Sequence, residues 1–182
     1  MKTIDKSAQS VGARLAALGV ALAVVIADQL TKLAAVKALV HVSNSRVAIP
    51  GVLNFTYILN SGATNGILAG HRWVFMTVST VVIIGIAVYV ALGKVRSNLT
   101  AISLAMVVGG GIGNMIDRVA RGTVVDFLDV TCFDFFPFNT VFNVADVFVC
   151  VGCGLLILSV ILSEIKDRKK KNEETPADAG NE

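Results

Sequence analysis

Residues Leu15 to Leu39 read LAALGVALAVVIADQLTKLAAVKAL. A helix needs about 20 predominantly apolar residues to cross a hydrocarbon core of about 30 Å, and this stretch has that length. Unpaired backbone groups are costly in lipid, so a helix is its default conformation. Two charges, Asp28 and Lys32, interrupt the later part of the run. A charge at the centre of a membrane helix costs about 2.5–3.5 kcal/mol on insertion scales, so both need an explanation. Four positions apart, they share a helix face. Two explanations stand: an internal ion pair that fixes helix packing, or support for a reactive carboxylate elsewhere.

Working outward, three more apolar blocks follow, at about Val74 to Leu92, Leu99 to Ile116 and Val144 to Leu162. The chain is 54% hydrophobic with a mean hydropathy of +0.73, and the excess is gathered in these blocks. The expected fold is therefore a membrane all-α protein of four transmembrane helices, forming a single unit over residues 1–172. The first block has Lys2, Lys6 and Arg14 ahead of it, as a secretory leader would. Asp28 and Lys32 fall where a cleavage region would be, and no cysteine follows nearby, so an uncleaved first span is expected. Cys150 and Cys153, inside the fourth block, read as small buried hydrophobes rather than as a metal or redox pair.

Ten of the 16 Lys and Arg lie at the amino end, in the connection holding Lys94 and Arg96, and in the tail from Lys166 to Lys171. With four spans, both termini share that side, and the positive excess makes it the cytoplasm. The polar tail, residues 173–182, is expected to be disordered. No basic stripe with interleaved aromatics exists, which argues against a nucleic-acid partner. Two longer segments then face outward. His41 to Arg72, with Pro50-Gly51 and Ser61-Gly62 as breakers, suits a small β structure on the membrane. Asp117 to Asn143 joins the third helix to the fourth.

The polar residues in or beside the spans converge on one interface. They are Asp28, Gln29, Thr31 and Lys32; Asn114, Asp117 and Arg118; Asp126; and Asn143 and Asp146. Gly109 and Gly113 share a face of the third helix, and small residues at that spacing allow close helix approach. Asp117, beside Arg118, reads as an ionised structural anchor. Asp126, in VVDFL just past the third helix, and Asp146, one turn into the fourth, have no basic sequence neighbour. Apolar surroundings favour the protonated form of such carboxyls. Brought together, two carboxyls keep one proton. The charged one can then act as general base on a water, and the neutral one can donate to a scissile carbonyl. The alternative is two interfacial acids facing water. His41 and His71 lie far apart with no ligand-spaced carboxylate, so neither a metal nor another cofactor is expected.

Five pieces in register resemble the lipoprotein signal peptidase (signal peptidase II) family. They are Asp28-Gln29-Leu30-Thr31-Lys32, Asn60-Ser61-Gly62-Ala63, Gly113-Asn114-Met115-Ile116-Asp117-Arg118, Val124-Val125-Asp126-Phe127 and Phe142-Asn143-Val144-Ala145-Asp146. The resemblance spans roughly residues 15–165. It implies an aspartic endopeptidase of the bacterial inner membrane with Asp126 and Asp146 as catalytic residues. It places Asp28, Lys32, Asn60, Gly110, Asn114, Arg118, Asn143 and Ala145 at site-supporting positions. The implied substrate is a prolipoprotein whose cysteine carries diacylglycerol, cut just before that cysteine. The first outer segment would form a small extracytoplasmic β cradle over the peptide, with membrane lipid as neighbour and a monomer as the working unit. Thr64-Asn65 departs from the Ala-Phe usual after the second piece, and Val147 stands where a Ser is common.

Two other classes fit parts of the pattern. A proton-relay or transporter subunit also uses membrane acids, but should space them through the full depth. An assembly factor would use the polar set only to hold helices together.

Overall fold

The computed structural model describes residues 11–40, 45–61, 72–91, 94–95, 97–132 and 141–174. The described residues form four helices and four strands, in the order α1 (Val11–Leu39), β1 (Ser45–Ile49), β2 (Leu53–Asn60), α2 (Arg72–Ala91), α3 (Asn98–Arg121), β3 (Val124–Val130), β4 (Val141–Phe142) and α4 (Val144–Glu174). Among the described residues, α1, α3 and α4 are long and apolar enough to cross a membrane, whereas the apolar stretch of α2, Met76–Val90, is shorter. The chain is mostly helical, as its blocks imply. The fourth helix continues beyond the expected Leu162 to Glu174. Residues 175–182 of the expected disordered tail lie outside the described residues, as do Lys2, Lys6, Arg96, His41, His71, Ala63 and Thr64-Asn65.

α3 is the central helix. Its apolar stretch is half buried, whereas those of α1 and α4 are mostly exposed. Its start is fixed by Ser97, whose hydroxyl accepts from the Thr100 N–H, and its end by Gly122 at φ 77°, whose N–H returns to the Arg118 carbonyl. Ser97 and Thr100 also meet Ser159 of α4 at 3.2 and 2.8 Å, a polar contact tying the far end of the two helices.

Glycines set the spacing. A Cβ on Gly109 would stand 2.7 Å from the Ala21 carbonyl oxygen, and one on Gly113 would stand 2.5 Å from the Asp28 carboxylate, both on α1. A Cβ on Gly110 would meet the Ala145 carbonyl oxygen at 2.5 Å, on α4. One helix thus offers two small-residue faces, one to each neighbour. α1 buries the stripe Val24, Asp28, Lys32, Ala35 and Leu39. α4 buries Ala145, Gly152 and Ser159, seven apart, toward α3. The remaining apolar faces point outward, as expected where lipid replaces a protein core. Cys150 and Cys153 belong to that outward surface. They are exposed, so their reading as buried residues is corrected: the apolar neighbours in sequence face outward with them.

Among the described residues, the segments between α1 and α2 and between α3 and α4 form one four-stranded antiparallel sheet in the order β1-β2-β3-β4. β1 and β2 make a hairpin through Pro50 and Gly51, the latter at φ 70°, closed by the Val52 N–H to the Ile49 carbonyl at 3.0 Å. β2 pairs with β3 with Asn60 opposite Val124 and Ile58 opposite Asp126. Asp126 therefore sits on a strand and not on a plain connection after the third helix. Val124, Val125, Asp126 and Phe127 are all buried, so the strand shows no apolar–polar alternation to betray it.

Gly110→Ala should lower stability by about 1–3 kcal/mol, because its Cβ meets backbone rather than a mobile side chain. Gly19, with nothing within 4 Å, should accept Ala without loss. Thermal unfolding of the two variants in detergent checks the contrast.

Candidate active site

The site forms where the sheet meets one end of the helices, and two constraints bring its acids there. β3 follows α3 after only Gly122 and Thr123, so Asp126 cannot stray from the end of α3. Asp146 is fixed by a reciprocal cap at the start of α4. Asn143 is the N-cap residue, and its Oδ1 accepts from the Asp146 N–H at 3.0 Å. The Asn143 N–H in turn donates to Asp146 Oδ2 at 3.1 Å. Asn143-Val144-Ala145-Asp146 thus carries the spacing of a capping box with Asn and Asp in place of Ser and Glu. That signal was present in the sequence.

Asn143 also reaches the other acid. Its Nδ2 donates to Asp126 Oδ1 at 2.6 Å and to Asn114 Oδ1 at 3.1 Å. One buried residue therefore ties both carboxyls into a single group, Asp126 through its side-chain amide and Asp146 through its backbone N–H. Asp126 Oδ2 accepts from Asn60 Nδ2 of β2 at 2.8 Å, and Asp146 Oδ1 accepts from Asn114 Nδ2 of α3 at 2.8 Å. Each carboxyl oxygen of the pair thus has a donor. Asp126 is 3% exposed. Burial pushes its carboxyl up from the ordinary value to about 6, the nearby Asp146 charge pushes the same way, and the Asn60 and Asn143 amides oppose the shift.

Beneath the pair lies a buried charge cluster. Lys32 Nζ contacts Asp28 Oδ2 at 2.8 Å, Asn114 Oδ1 at 2.9 Å and Asp117 Oδ2 at 3.2 Å. Lys32, Asp28 and Asp117 are each no more than 1% exposed. The ion pair expected of Asp28 and Lys32 is present. Asp117 was expected to be anchored by the adjacent Arg118; the structure gives it an ion pair with Lys32 of α1, and its Oδ2 also accepts the Val125 N–H at 3.1 Å, which pins the start of β3 to α3. Asp28 Oδ1 accepts the Ala145 N–H at 3.0 Å. A carboxylate facing the first N–H groups of α4 is well placed against the helix dipole. Gln29 donates to Asp28 Oδ2 and to the Gly113 carbonyl, both at 3.1 Å. Gln29 thereby bridges α1 to α3, a role its polarity in the sequence does not reveal. Arg118, half-buried at the end of α3, lies within electrostatic reach of Asp146, Asp126 and Asp117.

The structure thus brings Asp28, Lys32, Asn60, Asn114, Arg118, Asp126, Asn143, Ala145 and Asp146 to one region. Gly110 stands behind Ala145, where the lack of a side chain lets α4 approach α3. Among the described residues, no buried side-chain nitrogen or oxygen lacks a hydrogen-bond partner. Satisfied this fully, the network holds its members in fixed orientations. Two carboxyls joined in this way, Asp126 buried and Asp146 half-buried, can share a proton and act on a water molecule.

Comparison with known proteins follows the same residues. The family described as Signal peptidase (SPase) II matches residues 20–162, a stretch that includes every residue of this site. The lipoprotein signal peptidase of Halalkalibacterium halodurans is 41% identical over 154 residues, which cover 84% of this chain and 96% of that protein. The lipoprotein signal peptidase of Bacillus subtilis is 39% identical over 153 residues, covering 84% and 97%. A solved structure described as a bacterial membrane enzyme superposes with a TM-score of 0.74 at 27% identity, covering 97% of each chain. With a family match over residues 20–162, about 40% identity to these peptidases along most of its length and a fold in common with a solved membrane enzyme, the chain belongs to the signal peptidase II family.

Proposed function

We propose that Asp126 and Asp146 are the catalytic pair with which this aspartic peptidase removes signal peptides from prolipoproteins. The observation that carries the assignment is Asn143, which bonds Asp126 through its side chain and Asp146 through its backbone, so that the two acids act as one unit. In the reaction, the ionised carboxyl takes a proton from a water whose oxygen attacks the scissile carbonyl carbon. The neutral carboxyl gives its proton to the carbonyl oxygen. When the tetrahedral intermediate collapses, the carbon–nitrogen bond breaks, the leaving amine takes the first proton, and a hydroxyl proton returns to the second carboxyl. No covalent enzyme intermediate is required.

The substrate is a prolipoprotein whose cysteine carries diacylglycerol, and the cut falls just before that cysteine. A site at the end of membrane helices, roofed by a sheet, suits a peptide held at the bilayer surface by its acyl chains. Val47, Ile49, Phe55, Ile58 and Leu59 of the β1–β2 hairpin are exposed, giving the cradle apolar surface for lipid and peptide. In this reading α2 completes four spans, both termini are cytoplasmic, and the site lies near the outer face of the inner membrane. The exposed, Lys-rich end of α4 favours that orientation. The protein acts as a monomer, without metal or other cofactor. A proton relay is disfavoured, since Asp28, Asp117, Asp126 and Asp146 gather at one end of the helices and do not form a path through them.

Asp126→Asn and Asp146→Asn should each reduce cleavage of a lipidated prolipoprotein by at least about a hundredfold while leaving the protein folded. Purified protein in detergent, assayed by peptide cleavage and by circular dichroism, checks this; cleavage retained in both variants excludes the pair. Because burial raises the Asp126 pKa to about 6, its neutral form persists to mildly acidic pH and is lost as pH rises through that value. In a pH titration of kcat/KM the rate should therefore fall on the alkaline side, by about tenfold per unit once the pair has lost its shared proton. A rate that climbs steadily to pH 9 contradicts a proton-holding Asp126.

A further inference from the structure

The two carboxyls stand in unequal surroundings, and the inequality starts at Lys32. This inference rests on the reading of Asp126 and Asp146 as the catalytic pair. An ammonium carries three N–H donors, and Lys32 meets three acceptors: Asp28 Oδ2, Asp117 Oδ2 and Asn114 Oδ1. The same Asn114 oxygen also accepts from Asn143 Nδ2. With two donors facing that oxygen, the amide cannot turn over without setting N–H against N–H. Its Nδ2 is therefore committed to Asp146 Oδ1 at 2.8 Å.

Asp146 has two donors, as Asp126 has, but its second is a backbone N–H supplied by its position at a helix start. Its Oδ2 accepts a backbone N–H at 3.1 Å, and it stands in the first turn of α4, where the helix terminus favours negative charge. Asp126 lies on a strand, buried, with two side-chain amides as donors and no helix terminus. The charged and titratable groups facing Asp146 are Lys32 and Asp28 from α1, Arg118 from α3, Asp126 from β3 and Cys150 on α4 itself. Of the two cations, Lys32 is the one whose bond to Asn114 sets the direction of a donor to Asp146.

We propose that Lys32 is a positioning residue which, through the fixed amide of Asn114, makes Asp146 the member of the pair that carries the resting charge and takes the proton from water. Asp126 is then the member that holds a proton and gives it to the scissile carbonyl oxygen. On collapse, Asp146 passes its proton to the leaving amine nitrogen and Asp126 recovers one from the hydroxyl of the intermediate. Protons balance over the turnover, and Lys32, its ammonium taken up by three protein acceptors, acts through Asn114.

The test uses the full-length protein in detergent with a lipidated prolipoprotein peptide, and reads kcat/KM against pH. Asn114→Ala removes the donor to Asp146. Lys32→Met combined with Asp117→Asn removes one positive and one negative charge together, so the buried cluster keeps its net charge while Asn114 loses its lock. In both, the acidic limb of the profile should move up by about one pH unit, a roughly tenfold loss on that side, with the alkaline limb moving less. A uniform drop with both limbs in place means that Lys32 and Asn114 serve folding alone, and overturns the proposal. A second measurement needs neither variant. At pH 5 the infrared band of a protonated carboxyl should be present in the wild type and in Asp146→Asn, and absent in Asp126→Asn. The opposite pattern overturns the assignment of base and proton holder. Cleavage persisting in Asp126→Asn and Asp146→Asn would instead remove the catalytic pair itself, so the two failures are distinguishable.

Discussion

A lysine ammonium that is 1% exposed at the end of a helix bundle is the constraint around which this protein is arranged. Leaving such a charge without partners costs about 3–5 kcal/mol. Here every N–H of Lys32 is used, by one carboxylate on its own helix and by a carboxylate and an amide on α3. The requirement fixes the register of α1 against α3. It also commits the Asn114 amide, and through it the position of α4. The cluster of one cation and two carboxylates is then satisfied at its edges by Gln29, by the Val125 N–H and by the Ala145 N–H. Each of those bonds ties a different element to the same centre.

Such a network forms only if the helices come close, and the glycines permit this. Gly113 leaves room for the Asp28 side chain, and Gly110 leaves room for the backbone of α4 at Ala145. In lipid there is little hydrophobic force between helices, so close packing and interhelical hydrogen bonds must hold them together. The two devices work as one: small residues bring the backbones near, and the buried polar groups then find partners within hydrogen-bond distance. The same arrangement places a helix N-terminus, a strand and a helix C-terminus around a single Asn side chain. Two acids twenty positions apart in sequence are thereby held in one orientation, which suits chemistry that needs a shared proton.

Much of this was legible in the chain. The apolar blocks announced the helices because a bilayer leaves a backbone few alternatives. Asp28 and Lys32, four apart inside an apolar run, announced an ion pair, since their cost in lipid demands one. The breakers at Pro50-Gly51 announced the hairpin. β3 was not legible, because a strand buried on both faces loses the alternation that identifies strands, and VVDF reads as any short apolar run. The outward-facing Cys150 and Cys153 were misread for a related reason. In a membrane helix, apolar residues cover both the packed face and the outer face, so composition does not tell them apart.

The sequence by itself determined the class of solvent, the helices and the set of polar residues that lipid would not tolerate unpaired. It also carried the family resemblance, because these residues recur in order and spacing. What the tertiary structure decided was partnership. Only the fold made Lys32 the ion-pair partner of Asp117, set Asn143 between the two acids, and turned the Asn114 amide toward Asp146. The reason is physical: propensity and hydropathy act along the chain, whereas a hydrogen bond depends on direction and distances of about 3 Å between residues as distant in sequence as Asp28 and Ala145.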